Sequence, residues 1–238
     1  MATFVQTNVG LYYGGYSLAS NFNAIGLNMS ANMVDDTVYG DIFQSNTSGL
    51  SSVNLEAEGY WDSTPDSVLN TSLGVADTVT SVTPVDQAVG SPALFTKLMS
   101  SEYNPMAVGT VGEMMGFRLS GESQGEKVIH GEIMVAPGTN RTSTSTSAVN
   151  NLGAVSATQK IYSAIHVISA SGTFDVTVKS DDGSGFSSPT TRITHTQFTG
   201  VGAELKSADG AITDAYWRVD FAVSGGGSFD TIISIGII

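Results

Sequence analysis

Gly121-Glu122-Ser123-Gln124-Gly125 carries the G-x-S-x-G spacing that exposes a hydrolase serine on a strand-to-helix elbow. Such a serine needs a later acid and histidine on an α/β sheet. No alternation of strands and helices surrounds this string, so it reads as the turn of a hairpin. The three histidines, His130, His166 and His195, are far apart, and none belongs to an H-x-x-x-H pair. His166 stands between Ile165 and Val167 in an apolar strand and reads as a structural imidazole. His195, among threonines, is expected on a wet face. Asp181-Asp182-Gly183-Ser184-Gly185 looks like part of a calcium loop but lacks the closing glutamate, so a tight turn is expected. Glu56 and Glu58 share one face of a strand. A glycosidase pair must flank its sugar from opposite sides, so these two read as part of a solvated or lumen face. No catalytic residue, cofactor site or metal site is expected, and the chain is not read as an enzyme.

Charge excludes further classes. The 238 residues hold 22 acidic and 9 basic side chains, a net charge of −13, and the first basic residue is Lys97. Such a surface repels phosphate and cannot grip nucleic acid by releasing counterions. It suits a wall past which a polyanion slides. Charged residues are only 13 % of the chain and hydrophobic residues 41 %, as expected for a subunit with extensive protein contacts. There is no cysteine, so disulfides, thiolate zinc sites and thiol nucleophiles are excluded. Met1 to Gln6 lack the basic flank and apolar stretch of a secretory signal, and no apolar run is long enough to span a bilayer. Assembly in a reducing cytoplasm, without membrane contact, is the expectation.

The positioning elements are strands. Leu55, Ala57, Gly59 and Trp61 alternate with Glu56, Glu58 and Tyr60. Phe174, Val176 and Val178 alternate with Asp175, Thr177 and Lys179, and Trp217, Val219, Phe221 and Val223 with Arg218, Asp220 and Ala222. Gly-rich segments such as Gly225-Gly226-Gly227 read as hairpin turns. Two short helices are expected. One is capped by Thr64 with Pro65 at its first position and closed by Gly74; the other opens at Ser91-Pro92 with Leu94, Phe95, Leu98 and Met99 as its apolar stripe. The run Arg141 to Ser147 has no buried face to offer. The expected organisation is therefore a β domain over 1–137, a Ser/Thr-rich linker or long loop over 138–153, and a second β-rich half over 154–238. The fold class is all-β, with one or two short helices.

A resemblance enters between Phe22 and Trp61. A Gly-Tyr hairpin (Gly15-Tyr16-Ser17-Leu18) precedes the strand Asn23 to Ser30. Met33-Val34-Asp35-Asp36-Thr37-Val38-Tyr39-Gly40-Asp41 follows, then Ser48-Gly49-Leu50 and a return strand ending Glu58-Gly59-Tyr60-Trp61-Asp62. This order resembles the major tail tube proteins of long-tailed, non-contractile bacteriophages. The resemblance implies a tail-tube-like β-barrel or sandwich with a flanking helix, and rings of copies joined edge to edge, six per ring or three if the two halves are duplicates. Stacked rings would form a hollow tube that conducts phage DNA without binding it, with other tail proteins at its ends. Residues 34–50, with Asp35, Asp36, Thr37, Tyr39 and Asp41, are the expected inter-ring loop. Glu56, Glu58, Glu113 and Glu132 are the expected lumen lining. A head decoration or head-tail joining protein is the neighbouring alternative. A β-sandwich carbohydrate-binding or adhesin module, with Tyr12, Tyr13, Tyr16, Tyr60 and Trp61 as its platform, is the alternative from another class.

Overall fold

The computed structural model describes residues 8–40, 42–107 and 110–238. Its strands, in chain order, are β1 (Gly10–Tyr13), β2 (Tyr16–Ser17), β3 (Phe22–Asp35), β4 (Asn46–Tyr60), β5 (Thr78–Thr83), β6 (Pro92–Ala107), β7 (Gly116–Ser123), β8 (Ile129–Val135), β9 (Ser145–Thr146), β10 (Asn150–Asn151), β11 (Lys160–Asp181), β12 (Thr190–Thr194), β13 (Gly202–Asp209) and β14 (Tyr216–Ile237). One helix, α1 (Ser63–Ser72), follows β4. The fold is all-β and antiparallel, and the strand order runs as an open path rather than closing into a barrel.

Two compact units interleave along the chain. Unit 1 comprises residues 1–20, 78–97 and 129–238, and unit 2 comprises 21–77 and 98–128. The units do not part at 138–153. That segment lies inside unit 1, where β9 and β10 pair with β14 and its Thr142 to Thr146 face solvent.

Unit 1 is built on β11 and β14, each 22 residues long and paired from Ile161↔Ile237 to Asp181↔Tyr216. Beyond Phe174 the alternation is as expected: Phe174, Val176, Val178, Trp217 and Val219 are buried, and Trp217 Nε1 donates to Gly153 O at 2.9 Å. From Ile161 to Val167 both faces are covered, so apolar residues run almost continuously. Each such buried aliphatic or aromatic side chain contributes about 1.5–3 kcal/mol by leaving water. Gly225-Gly226-Gly227 do not turn a hairpin. They form an irregularity within β14 opposite Gly172, and pairing resumes at Ser171↔Ser228. Gly172 has φ +82°, and a Cβ there would lie 2.6 Å from Ser224 O, so no other residue fits without strain.

Unit 2 is a four-stranded sheet in the order β3-β4-β7-β6, with α1. The helix starts two residues earlier than the Thr64 cap expected: Asp62 is the N-cap, its carboxylate accepting from Thr64 N at 2.9 Å. Pro65 and Leu69 are buried, and Gly74 follows with φ +73°. Tyr103 Oη donates to Asp66 at 2.7 Å, tying β6 to α1. The second expected helix is absent, because Pro92 to Ala107 form β6. Ala93, Phe95, Leu98 and Ser100 are buried while Leu94, Lys97 and Met99 are half-buried, a pattern set by pairing with β8 and β7. Tertiary pairing overrides a local pattern that fits either period.

Candidate assembly surface

The register of unit 2 sorts its side chains into two faces. Phe117, Leu119, Val53, Leu55 and Ala57 are buried on one, with Phe22 packed edge-on against Phe117 at 5.0 Å between ring centroids. The other is small, polar and acidic. One row across the strands reads Gly26, Glu56, Ser120, Glu102; the next reads Ala24, Glu58, Arg118, Asn104; a third reads Asn28, Asn54, Glu122. Glu56, Glu58, Glu102 and Glu122 are all exposed. Arg118 forms an ion pair with Glu58, so the cation in these rows is already engaged. Neighbouring strands are about 4.8 Å apart, so these charges sit within a Debye length of one another and their fields add. The expected residues Glu56 and Glu58 belong to this face. Glu102 and Glu122 were missed, because their place beside Glu56 depends on long-range register. Glu113 lies in the connection between β6 and β7, exposed, its amide donating to Thr110 O at 3.0 Å. Glu132 is half-buried on β8 of unit 1, with Asn150 Nδ2 3.5 Å away.

The second part of the surface is the hairpin of β3 and β4. From Asn28 to Asp35 and from Asn46 to Ser52 every residue is exposed, so the ladder continues with neither face covered. Eight residues of β3 at about 3.4 Å each carry the arm roughly 27 Å from the sheet. Much of the excursion 34–50 is therefore strand, with a connection over 36–45. That connection is organised by its acids. Asp35 accepts from Thr37 N at 2.9 Å and from the Thr37 hydroxyl, which in turn accepts from Ser45 N at 2.9 Å; Asp36 accepts from the Thr47 hydroxyl. These hydrogen bonds from Thr37 and Thr47 hold both carboxyls below the ordinary aspartate range. Asp41 lies outside the described residues. The tip is apolar and exposed: Tyr39 is fully exposed, Ile42 90 % and Phe43 84 %, with Val38 beside them. An isolated two-stranded ribbon is marginal in water, and contiguous exposed apolar side chains at its end are of the kind that mark interaction sites.

The catalytic candidates resolve differently. β7 pairs with β4 and β6, and β8 with β6 and β14, so Gly121 to Gly125 close no hairpin. Ser123 Oγ accepts from Val53 N at 3.1 Å. Asp181 accepts from Gly183 N at 3.0 Å and Ser188 N at 2.7 Å, as a turn-forming aspartate does. His166 is buried between Ser81 Oγ, at 2.7 Å from Nε2, and Gly14 O; burial pushes its pKa down to about 4. His195 is not on a wet face. It is buried, with Nδ1 2.9 Å from Glu204 and Nε2 3.0 Å from Ser163 Oγ. Glu204 also accepts from Thr196 N at 2.9 Å and from its hydroxyl at 2.7 Å. Hydrogen bonds from Thr196, His195 and Lys206 overcome desolvation and bring Glu204 to about 2. The order hydroxyl, imidazole, carboxylate is that of a hydrolytic triad, but Ser163 is wholly buried. The cluster pins β11, β13 and the β12–β13 connection together.

Among the described residues no group of three His, Asp or Glu is placed to hold a metal ion, and no helix is long and apolar enough to cross a membrane. Tyr12 and Tyr13 are buried, which removes two members of the expected aromatic platform.

No family model matches the chain, and no curated protein matches it. Solved structures similar to it include the tail of an empty gene transfer agent particle refined with C6 symmetry, at 14% identity over 44% of this chain and 79% of that one, TM-score 0.37. The crystal structure of the Dit hub protein of phage SPP1 is 11% identical over 97% and 99%, TM-score 0.40. The six-fold symmetrised baseplate of the anti-feeding prophage is 12% identical over 55% and 97%, TM-score 0.41. At these identities and scores the likeness assigns no family.

Proposed function

We propose that the chain is a virion structural protein whose copies associate into stacked rings, forming the hollow tail tube through which phage DNA passes during ejection. The observation that carries this reading is the pairing, in unit 2, of one small, polar, acidic sheet face with a long arm exposed on both sides and apolar at its tip. A bore must pass a polyanion without holding it, and closely spaced glutamates do that by repulsion. An open head-to-tail polymer needs a projecting element that leaves one copy to be covered by another. β3 pairs only with β4 among the described strands, so its outer edge offers hydrogen-bonding groups along which a neighbouring copy can extend the sheet. Rings of six, or of three, satisfy such edges by closure, and other tail proteins would terminate the stack.

Negative-stain electron microscopy and light scattering of the purified protein test the reading. Rings or tubes are the expected result. A monodisperse monomer at every concentration contradicts it, and binding only to preformed capsids would indicate a decoration protein instead. The carbohydrate-binding alternative keeps Tyr16, Tyr60 and Trp61 exposed but not Tyr12 and Tyr13, and glycan binding by a monomer would favour it.

A further inference from the structure

β4 is flanked on both sides for only part of its length. β7 runs beside it from Tyr60↔Gly116 to Asn54↔Glu122 and ends at Ser123, whose hydroxyl accepts from Val53 N at 3.1 Å. From Asn46 to Ser52 no described strand lies along the side of β4 that faces away from β3. At about 3.4 Å per residue this open edge is roughly 24 Å long. Val53 N points to that side, so by the alternation of an antiparallel strand the Ser51 N–H and C=O point there too.

The position that β7 vacates opens on a cleft of about 840 Å³, lined wholly by residues of unit 2. The row Asn28, Asn54, Glu122 brings two carboxamides and a carboxylate to it, and the hydroxyls of Ser30 and Ser52 lie 2.9 Å apart in the next row. Glu126 and Lys127 reach it from the segment that leaves β7, and Leu50 adds an apolar side chain that is 88 % exposed. A backbone edge beside amides and hydroxyls that both donate and accept has the chemistry of strand addition. Charge selects what is added. Residues 21–77 hold eight carboxylates and no Lys or Arg. The open edge of β3 in a second copy would therefore bring like charge against Glu122 and Glu126, whereas a basic segment is attracted.

We propose that this cleft takes an extended segment of a different protein, carrying Lys or Arg, which adds to the outer edge of β4 as a strand in line with β7. The site is complete in one subunit, so it does not depend on the tube reading.

Fluorescence anisotropy of the full chain with a fluorescein-labelled peptide tests it. The probe is about nine residues long, enough to span the open edge, and alternates Lys with Val and Thr. Saturable binding is expected, and a peptide with Glu in place of Lys should not bind. Two further versions, N-methylated at alternate residues in opposite phase, keep the charge. One blocks the amides that meet β4 and should bind about tenfold more weakly, as the loss of one or two net hydrogen bonds does; the other should bind as the parent peptide does. In the protein, Ser51→Pro removes an N–H from the open edge, spares the ladder to β3, and should weaken the Lys peptide by a similar factor. The urea midpoint reports whether that variant is folded, and if it is not, the N-methylated pair on the natural protein decides. No saturable binding of the Lys peptide, or equal binding of the two N-methylated peptides, overturns the proposal.

Discussion

Arg118 and Glu58 face each other across β7 and β4, and their ion pair lies in an end row of the acidic face. The pair is half exposed, so its stabilisation is that of a surface bridge, below about 1 kcal/mol. Its consequence is electrostatic. Arg118 engages the one glutamate beside it and leaves Glu56, Glu102 and Glu122 to set the sign of the face.

That sign can be reversed. Glu56→Lys with Glu102→Lys places two cations in one row of exposed positions, where substitutions change stability by no more than about 0.5 kcal/mol each. The variant should fold and assemble, but its assemblies should retain double-stranded DNA in a gel-shift assay, with retention falling steeply as salt rises. Equal DNA exclusion by variant and natural protein would mean that this face does not meet DNA.

At the arm, Tyr39→Ser with Phe43→Ser removes two exposed aromatics that support nothing within the subunit. The urea midpoint should stay unchanged while assembly weakens by at least tenfold in the concentration required, the equivalent of about 1.4 kcal/mol per subunit contact. A shifted midpoint with intact assembly would place these rings in the subunit's own packing.

Acid should weaken unit 1 through its imidazoles. His166 has a folded pKa of about 4 against 6.5 unfolded, so between those values the unfolded chain binds more protons. Stability is full above pH 6.5 and falls as the pH drops toward 4, by about 3 kcal/mol for this group. Burial lowers His195 too, which adds in the same direction. Urea denaturation at pH 7 and pH 4.5 checks the sign, and His166→Gln should flatten the slope. A midpoint independent of pH in this window contradicts the buried neutral imidazole.

The Ser163–His195–Glu204 cluster should behave as a structural tie. Ser163→Ala leaves a buried imidazole nitrogen without its partner and should cost about 1–3 kcal/mol in equilibrium unfolding. A cost near zero would show that the nitrogen finds other partners.

How much of this was legible beforehand follows from the range of the interactions. Alternation over Leu55 to Gly59, Phe174 to Val178 and Trp217 to Phe221 reports a local fact, one covered face, and those strands are where the pattern placed them. The α1 helix was legible because Pro65 and Gly74 are local signals. Leu94 to Met99 misled, since a run of apolar residues with one lysine suits a helix face as well as a doubly paired strand. His195 was misjudged because its neighbours are threonines, while its burial comes from Ser163 and Glu204, 32 and 9 residues away. Glu56 and Glu58 could be placed on one face from their own strand. Glu102 and Glu122 could not, because only the β4–β7–β6 register brings them alongside.

We propose that copies of this chain enclose a bore lined by the face that carries Glu56, Glu58, Glu102 and Glu122. Electron cryomicroscopy of the assembled protein measures it directly. A hollow tube with these glutamates turned to the axis and the β3–β4 arm covered by an adjacent copy is the expected result. A solitary subunit, or a bore lined by lysine and arginine, would contradict it.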